Sequence, residues 1–200
     1  MENSIIDKRM EKGEQTRARI LNAAITIIAE NGIKEVSAAK LATATGVSKS
    51  NIFHHFKSID DILIGVLHIL FNDLLTPMTM EYQDLEEFLK SIGQSVFHIP
   101  EEHLNLFKAF FSFYHEGMFN SEYQKVLTSY TGQMTKLISK QLTQLTPNPA
   151  AQETLDSVAI ILFTMIDGMG LHYLLNGESL HYEEAWRLQV QWICRLLSEH

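Results

Sequence analysis

Residues 37–57, SAAKLATATGVSKSNIFHHFK, decide the fold of this chain. Ser37 is placed to cap a helix in which Leu41 and Ala42 point inward. Gly46 makes a turn and Val47 plugs it. Ser48 caps a further helix, whose Ile52 and Phe56 lie four apart on the inner face. Lys49, Ser50, Phe53 and His54 are left on the outer face, with Asn51 and His55 flanking it. Two short helices across a tight turn, the second polar and basic outside, is the layout of a helix-turn-helix, which sets its second helix in the major groove of DNA.

On either side the pattern stays helical. A first helix is expected from Glu14 to Asn31, with Ile20, Ala24 and Ile27 on one face, joined by Leu21 and Ile28. Asn31-Gly32 stops it, because glycine is free to take positive φ. A fourth helix starts near Ser58 and Asp60, runs through Ile62, Leu63, Val66, Leu67, Leu70, Phe71 and Leu74, and stops ahead of Pro77. Longer helices are expected near 82–97, 101–117, 120–145, 150–175 and 181–198, with Pro77, Pro100 and Pro147 among the breaks. No stretch reads as a strand ladder. The fold class is therefore all-α, an N-terminal three-helix DNA-binding domain over 1–60 fused to a helical domain over 61–200.

Composition agrees. With 46 % apolar residues, four prolines and ten glycines among 200, the chain can bury a core and has little room for turn-rich β architecture. The net charge of −8 is unevenly spread: residues 1–60 carry nine Lys/Arg against seven Asp/Glu, residues 61–200 seven against seventeen. A basic head on an acidic body can hold phosphates through the head alone. The single cysteine, Cys194, allows no disulfide within the chain, which fits a reducing cytoplasm. The N-terminus has no apolar core of the signal-peptide kind. Residues 158–175 are apolar enough to test as a membrane span, but Asp167 mid-run and His172 near its end are costly in lipid, so a helix buried on most sides by protein is expected.

Helix N-termini attract phosphate, because their first N–H groups lack partners and sit at the positive end of the dipole; Ser37 and Ser48 mark two such ends. Lys40, Lys49, His54, His55 and Lys57 offer further donors, Ser50 and Asn51 are short enough to reach base edges, and Thr16 and Arg17 could grip a neighbouring phosphate. Taken singly, each has an ordinary explanation as a cap, a surface imidazole or a solvated charge.

Together they are more specific. TRARILNAAITIIAENGIKEVSAAKLATATGVSKSNIFHHFKSIDDIL, from Thr16 to Leu63, resembles the DNA-binding domain of TetR-family bacterial transcriptional repressors. The marks are Thr16-Arg17, Ile20-Leu21, Ala23-Ala24, Asn31-Gly32, Leu41-Ala42, Gly46-Val47-Ser48-Lys49, His55-Phe56-Lys57-Ser58 and Leu63. Phe53 departs from the pattern, standing where the family usually has an aromatic hydroxyl on phosphate, and suits apolar contact with a thymine methyl. Ser50-Asn51 replaces the usual Gly-Thr, and Ala39 stands where a base is frequent, with Lys40 beside it. The resemblance implies a homodimer on a palindromic double-stranded operator, with half-sites roughly 34–36 Å apart or a multiple.

The remaining helices carry the expected body of such a regulator. Ala185, Leu188, Trp192 and Leu196 form one apolar face of the last helix, and Trp186, Val190, Ile193 and Leu197 another. With the apolar run before it, this suggests a four-helix interface between two copies, the arrangement the resemblance also implies; Met165, Met169, Leu188, Trp192, Ile193 and Leu196 are its candidate residues. The stretch LNLFKAFFSFYHEGM over 104–118 is dense in aromatics. Phe107, Phe110, Phe111, Tyr114 and Met118 there, with Met134, Phe163, Asp167 and His172 later, are candidates for a small lipophilic or aromatic effector whose binding spreads the DNA-reading heads. For any one aromatic, core packing is a better explanation than ligand contact; the set together, read with the resemblance, points to the effector.

Neither a metal, a cofactor nor an enzymatic activity is expected. His115, Asp167 and His172 lack the spacing of a metal site and no HExxH is present. A DNA-binding regulator without an effector, or an activator, stays open; a helical metal-binding enzyme is the weakest alternative.

Overall fold

The computed structural model describes residues 2–147, 150–176 and 181–198, and among them the regular structure is helical throughout. Two compact units emerge, Met1–Phe71 with Glu102–Val126, and Asn72–Glu101 with Leu127–His200. This grouping differs from a single cut after residue 60, because a helix distant in sequence joins the N-terminal unit.

In the first unit, α1 (Glu2–Asn31) ends where Gly32 takes φ +89°. A short 3-10 turn, Ile33–Glu35, leads to α2 (Ala38–Thr45), α3 (Lys49–His55) and α4 (Ile59–Leu75). Ile20, Ala24, Leu41, Ile52, Ile62 and Val66 are all fully buried and form the centre, the inner faces that the 3.6-residue period picks out. α1 starts twelve residues before the expected Glu14. Its residues 10–19 are mostly exposed, so no apolar stripe announces them, and helix-favouring Glu, Lys, Arg and Gln carry the turns instead.

The helix that joins this unit is α6 (Leu104–Gly117), which packs along α1. Its inner face is Ala109, Phe110, Phe113 and Gly117. Phe110 meets Phe71 edge-on at 6.1 Å and Phe113 meets Tyr123 at 5.7 Å. Tyr123, on the first turns of α7 (Ser121–Leu145), donates its hydroxyl to Asp60 Oδ1 at 2.9 Å. Burial, and then Asp60, push the Tyr123 hydroxyl well above its ordinary pKa.

The second unit contains α5 (Leu85–Phe97), most of α7, α8 (Gln152–Asn176) and α9 (Tyr182–Ser198). Asp84 Oδ1 accepts the Glu87 N–H at 2.8 Å, and Glu87 reaches back to the Gln83 N–H at 2.6 Å, so α5 begins on a reciprocal cap. Gln141 ties down the segment before it, donating to the carbonyls of Met78 at 3.1 Å and Met80 at 2.9 Å. Trp186 of α9 lies on α5 and donates its indole N–H to the Leu89 carbonyl at 2.9 Å.

The segment Ile59–Thr79 and α8 are both long and apolar enough to cross a membrane. α8 departs from the expectation of burial on most sides, since only 28 % of its most apolar window is buried within the chain. Leu155, Val158, Ala159, Leu162 and Phe163 face inward, while Ile160, Ile161, Leu171 and Leu175 are exposed.

Candidate DNA-binding interface

The turn between α2 and α3 is closed by short-range bonds. Ser37 Oγ accepts the Lys40 N–H at 3.3 Å and Ser48 Oγ accepts the Asn51 N–H at 3.2 Å, as the sequence pattern predicts for both caps. Gly46 takes φ +69° and its N–H bonds to the Ala42 carbonyl at 2.9 Å. Buried Thr45 completes the turn: its hydroxyl donates to the Leu41 carbonyl at 2.6 Å and accepts the Val47 N–H at 3.2 Å.

The outer side of α3 is open to solvent. Lys49, Ser50, Asn51 and His54 are exposed, and Phe53 is 48 % exposed, unusual for so large an apolar side chain. His55 is half-buried, its ring edge-on to His54 at 5.5 Å. Beyond the helix, exposed Lys57 gives its backbone N–H to Asp61 Oδ2 at 3.0 Å, while the Asp61 N–H bonds to Ser58 Oγ at 3.1 Å. The start of α4 is thus pinned beside the Lys57 side chain. This face can offer one ammonium at each end, amide and hydroxyl groups for base edges, and one aromatic ring.

Three residues expected to reach phosphate are engaged within the chain. The Thr16 hydroxyl donates to the Lys12 carbonyl at 2.8 Å, one turn back. Arg17 Nη1 donates to the His55 carbonyl at 2.9 Å and its guanidinium lies 4.0 Å above the Phe56 ring. Lys40 pairs with Glu35 and holds that carboxyl below its usual pKa, first by hydrogen bonding and then by charge. The Arg17 pairing leaves no local pattern, because its partner lies 38 residues away.

The candidate effector residues divide between the two units. Phe107, Phe111 and Tyr114 are half-buried and Phe110 is buried in the first, with Phe110 edge-on to Phe111 and Tyr114 at 5.2 Å each. Met118, past the end of α6, is 68 % exposed, and His172 is exposed on α8, so neither lines an apolar interior of its own unit. In the second unit Met134 and Phe163 are buried and Asp167 half-buried. Phe163 meets Tyr130 at 6.1 Å, and burial followed by the Asp167 charge raises the Tyr130 hydroxyl pKa.

Of the candidate interface residues, Leu188 (39 %), Trp192 (58 %) and Leu196 (45 %) form an exposed apolar face on α9. Met165 and Met169 are half-buried. Ile193 does not belong to that face: it is 7 % exposed and lies with Trp186, Val190 and Leu197 on the inward side. Ile160, Ile161, Leu171 and Leu175 of α8 are additions to the expected set, and their helical spacing sets them apart from the inward Leu155, Val158, Ala159 and Leu162.

An exposed, polar and basic recognition helix on a three-helix head defines a helix-turn-helix DNA-binding regulator. Residues 20–66 match the family described as bacterial regulatory proteins, tetR family. The HTH-type transcriptional regulator BetI of Cronobacter sakazakii is 22 % identical over 187 residues, covering 91 % of each chain. A transcriptional regulator from Rhodococcus sp. Rha1 superposes with a TM-score of 0.77 at 19 % identity, over 90 % of this chain and 96 % of that one. A transcriptional regulator from Saccharomonospora viridis, solved in complex with choline, gives a TM-score of 0.72 at 21 % identity, over 89 % and 94 %. Residues 20–66 therefore carry a DNA-binding domain of the tetR family, and the proteins that the chain resembles along its length are transcriptional regulators, a non-enzymatic class.

Proposed function

We propose that the chain works in the cytoplasm as a homodimeric repressor of a palindromic operator and is released by a small effector. The observation that carries this is the exposed outer face of α3, with Lys49, Ser50, Asn51, Phe53 and His54 turned to solvent and Lys57 just beyond. In this reading Lys49 and Lys57 hold phosphates, Ser50 and Asn51 meet base edges, and Phe53 packs on thymine methyl groups.

The dimer forms through the outer faces of α8 and α9. Ile160, Ile161, Leu171, Leu175, Leu188, Trp192 and Leu196 are all exposed large apolar side chains on these two helices, the kind of surface that a partner covers. A second copy covers it better than lipid does, because Asp167 lies within the same apolar run.

The effector is a small lipophilic or aromatic molecule held by aromatic side chains of the body. A quaternary ammonium is a second reading, favoured by the choline bound to the Saccharomonospora relative and by the Asp167 charge acting on Tyr130 beside Phe163. Either ligand acts by preferring the conformation that does not fit the operator.

Selection of bound duplexes from genomic fragments tests the whole proposal. An enriched inverted repeat upholds a palindromic operator, and enrichment of no duplex removes the proposal. Thermal shift with lipophilic compounds and with choline separates the two effectors from a regulator that has none, and a reporter driven by the enriched site separates repression from activation.

A further inference from the structure

Arg17 and Arg19 stand two positions apart on α1, on nearly opposite sides of the helix, and each reaches a different neighbour. Arg19 Nη2 donates to the carbonyl of Thr45, the last residue of α2. Arg17 Nη1 donates to the carbonyl of His55, the last residue of α3, at 2.9 Å. The final carbonyls of a helix have no partner within it and sit at the negative end of its dipole, so a guanidinium there meets both needs at once.

We infer that this pair is a positioning device for DNA reading, in which α1 holds the carboxyl ends of α2 and α3 and so fixes how α3 is aimed. The inference rests on the DNA-binding function of this head. α3 has seven residues, too few to be stable or oriented by itself. Its amino end is held by the Ser48 cap and its inner side by Ile52 and Phe56, both at most 1 % exposed. Arg17 supplies the missing constraint at the carboxyl end, since its planar head bonds His55 and lies flat on Phe56 in one placement. A lysine carries the same charge but cannot do both. Arg17 is therefore a positioning residue, where the sequence pattern alone suggests a phosphate contact.

The test uses the full-length protein, the operator duplex from selection and a random duplex of equal length. Both arginines are exposed, so R17K and R19K leave the core intact. Each lysine variant is expected to melt close to the parent yet bind the operator about tenfold more weakly, the order a charge-assisted hydrogen bond commands. Binding to random duplex and the salt slope on the operator should stay unchanged. Full operator affinity in both lysine variants overturns the inference. So does equal loss on the two duplexes, or a salt slope reduced by about 0.9 in R17A, either of which marks a phosphate contact. A parent protein that prefers no duplex fails at the first step and removes the DNA-binding function itself.

Discussion

The indole of Trp186 occupies the space that any side chain at position 93 would need. A Cβ built on Gly93 falls 2.3 Å from the ring, and the ring is held there by its N–H bond to the Leu89 carbonyl at 2.9 Å. α5 and α9 thus approach closely because one of them carries no side chain at the crossing, and Trp186 is 5 % exposed as a result.

Gly93→Ala should displace the ring and break that bond. The expected cost is about 1–3 kcal/mol, the usual scale of overpacking, read as a fall in denaturation midpoint and a red shift of Trp186 emission in a Trp192→Phe background. An unshifted midpoint contradicts the close approach.

Neighbouring residues on α9 should behave oppositely. Trp192, 58 % exposed, tolerates Trp192→Glu as a folded chain, which sediments as a monomer if the α8/α9 face is the dimer contact. Ile193, 7 % exposed, does not tolerate Ile193→Glu, because a buried unpaired carboxylate costs several kcal/mol. A dimer that persists in Trp192→Glu places the contact elsewhere.

Substituting both Lys49 and Lys57 by alanine should weaken operator binding and flatten its salt dependence by up to about two phosphate contacts, near 0.9 in slope for each. Titrations at several salt concentrations measure this, and a slope equal to that of the parent excludes both roles.

Asp156 accepts the Ser139 hydroxyl at 2.6 Å and the Gln152 amide at 2.8 Å, which hold its carboxyl below the ordinary value of 3.8. A carboxyl lowered on folding contributes stability that is fully present above its unfolded pKa and is lost as pH falls through the folded one. Asp156→Asn should therefore lower the melting temperature at neutral pH and flatten its decline below about pH 4. Parallel melting curves for parent and variant across pH 2–6 would count against this role.

Short-range features of the head are legible in the amino-acid sequence. Both serine caps, the stop at Gly32 and the turn at Gly46 depend on residues within a few positions, and such signals survive in sequence. The first twelve residues of α1 escape sequence reading because Ile5, Ile6 and Met10 are their only apolar side chains, too few to make the repeating stripe that announces a helix. α9 has two apolar faces, but periodicity does not say which one turns inward, so sequence alone counts Ile193 of one face and Trp192 of the other as interface candidates alike. The aromatic density of α6 points to a ligand site, whereas its inner face serves α1 packing. The engagement of Arg17 depends on a partner 38 residues away and cannot be read from spacing.

The Thr45 hydroxyl, bonded on one side to Leu41 and on the other to Val47, makes the α2–α3 corner a finished shape in the free protein. Meeting a duplex then requires freezing a few long side chains rather than folding backbone, which keeps the entropic penalty of docking small. Encounter should proceed at rates set by charge attraction and slow steeply with added salt. The heat capacity change on binding should be that of a rigid stamp pressed into a groove, well short of the large negative values of segments that fold on contact.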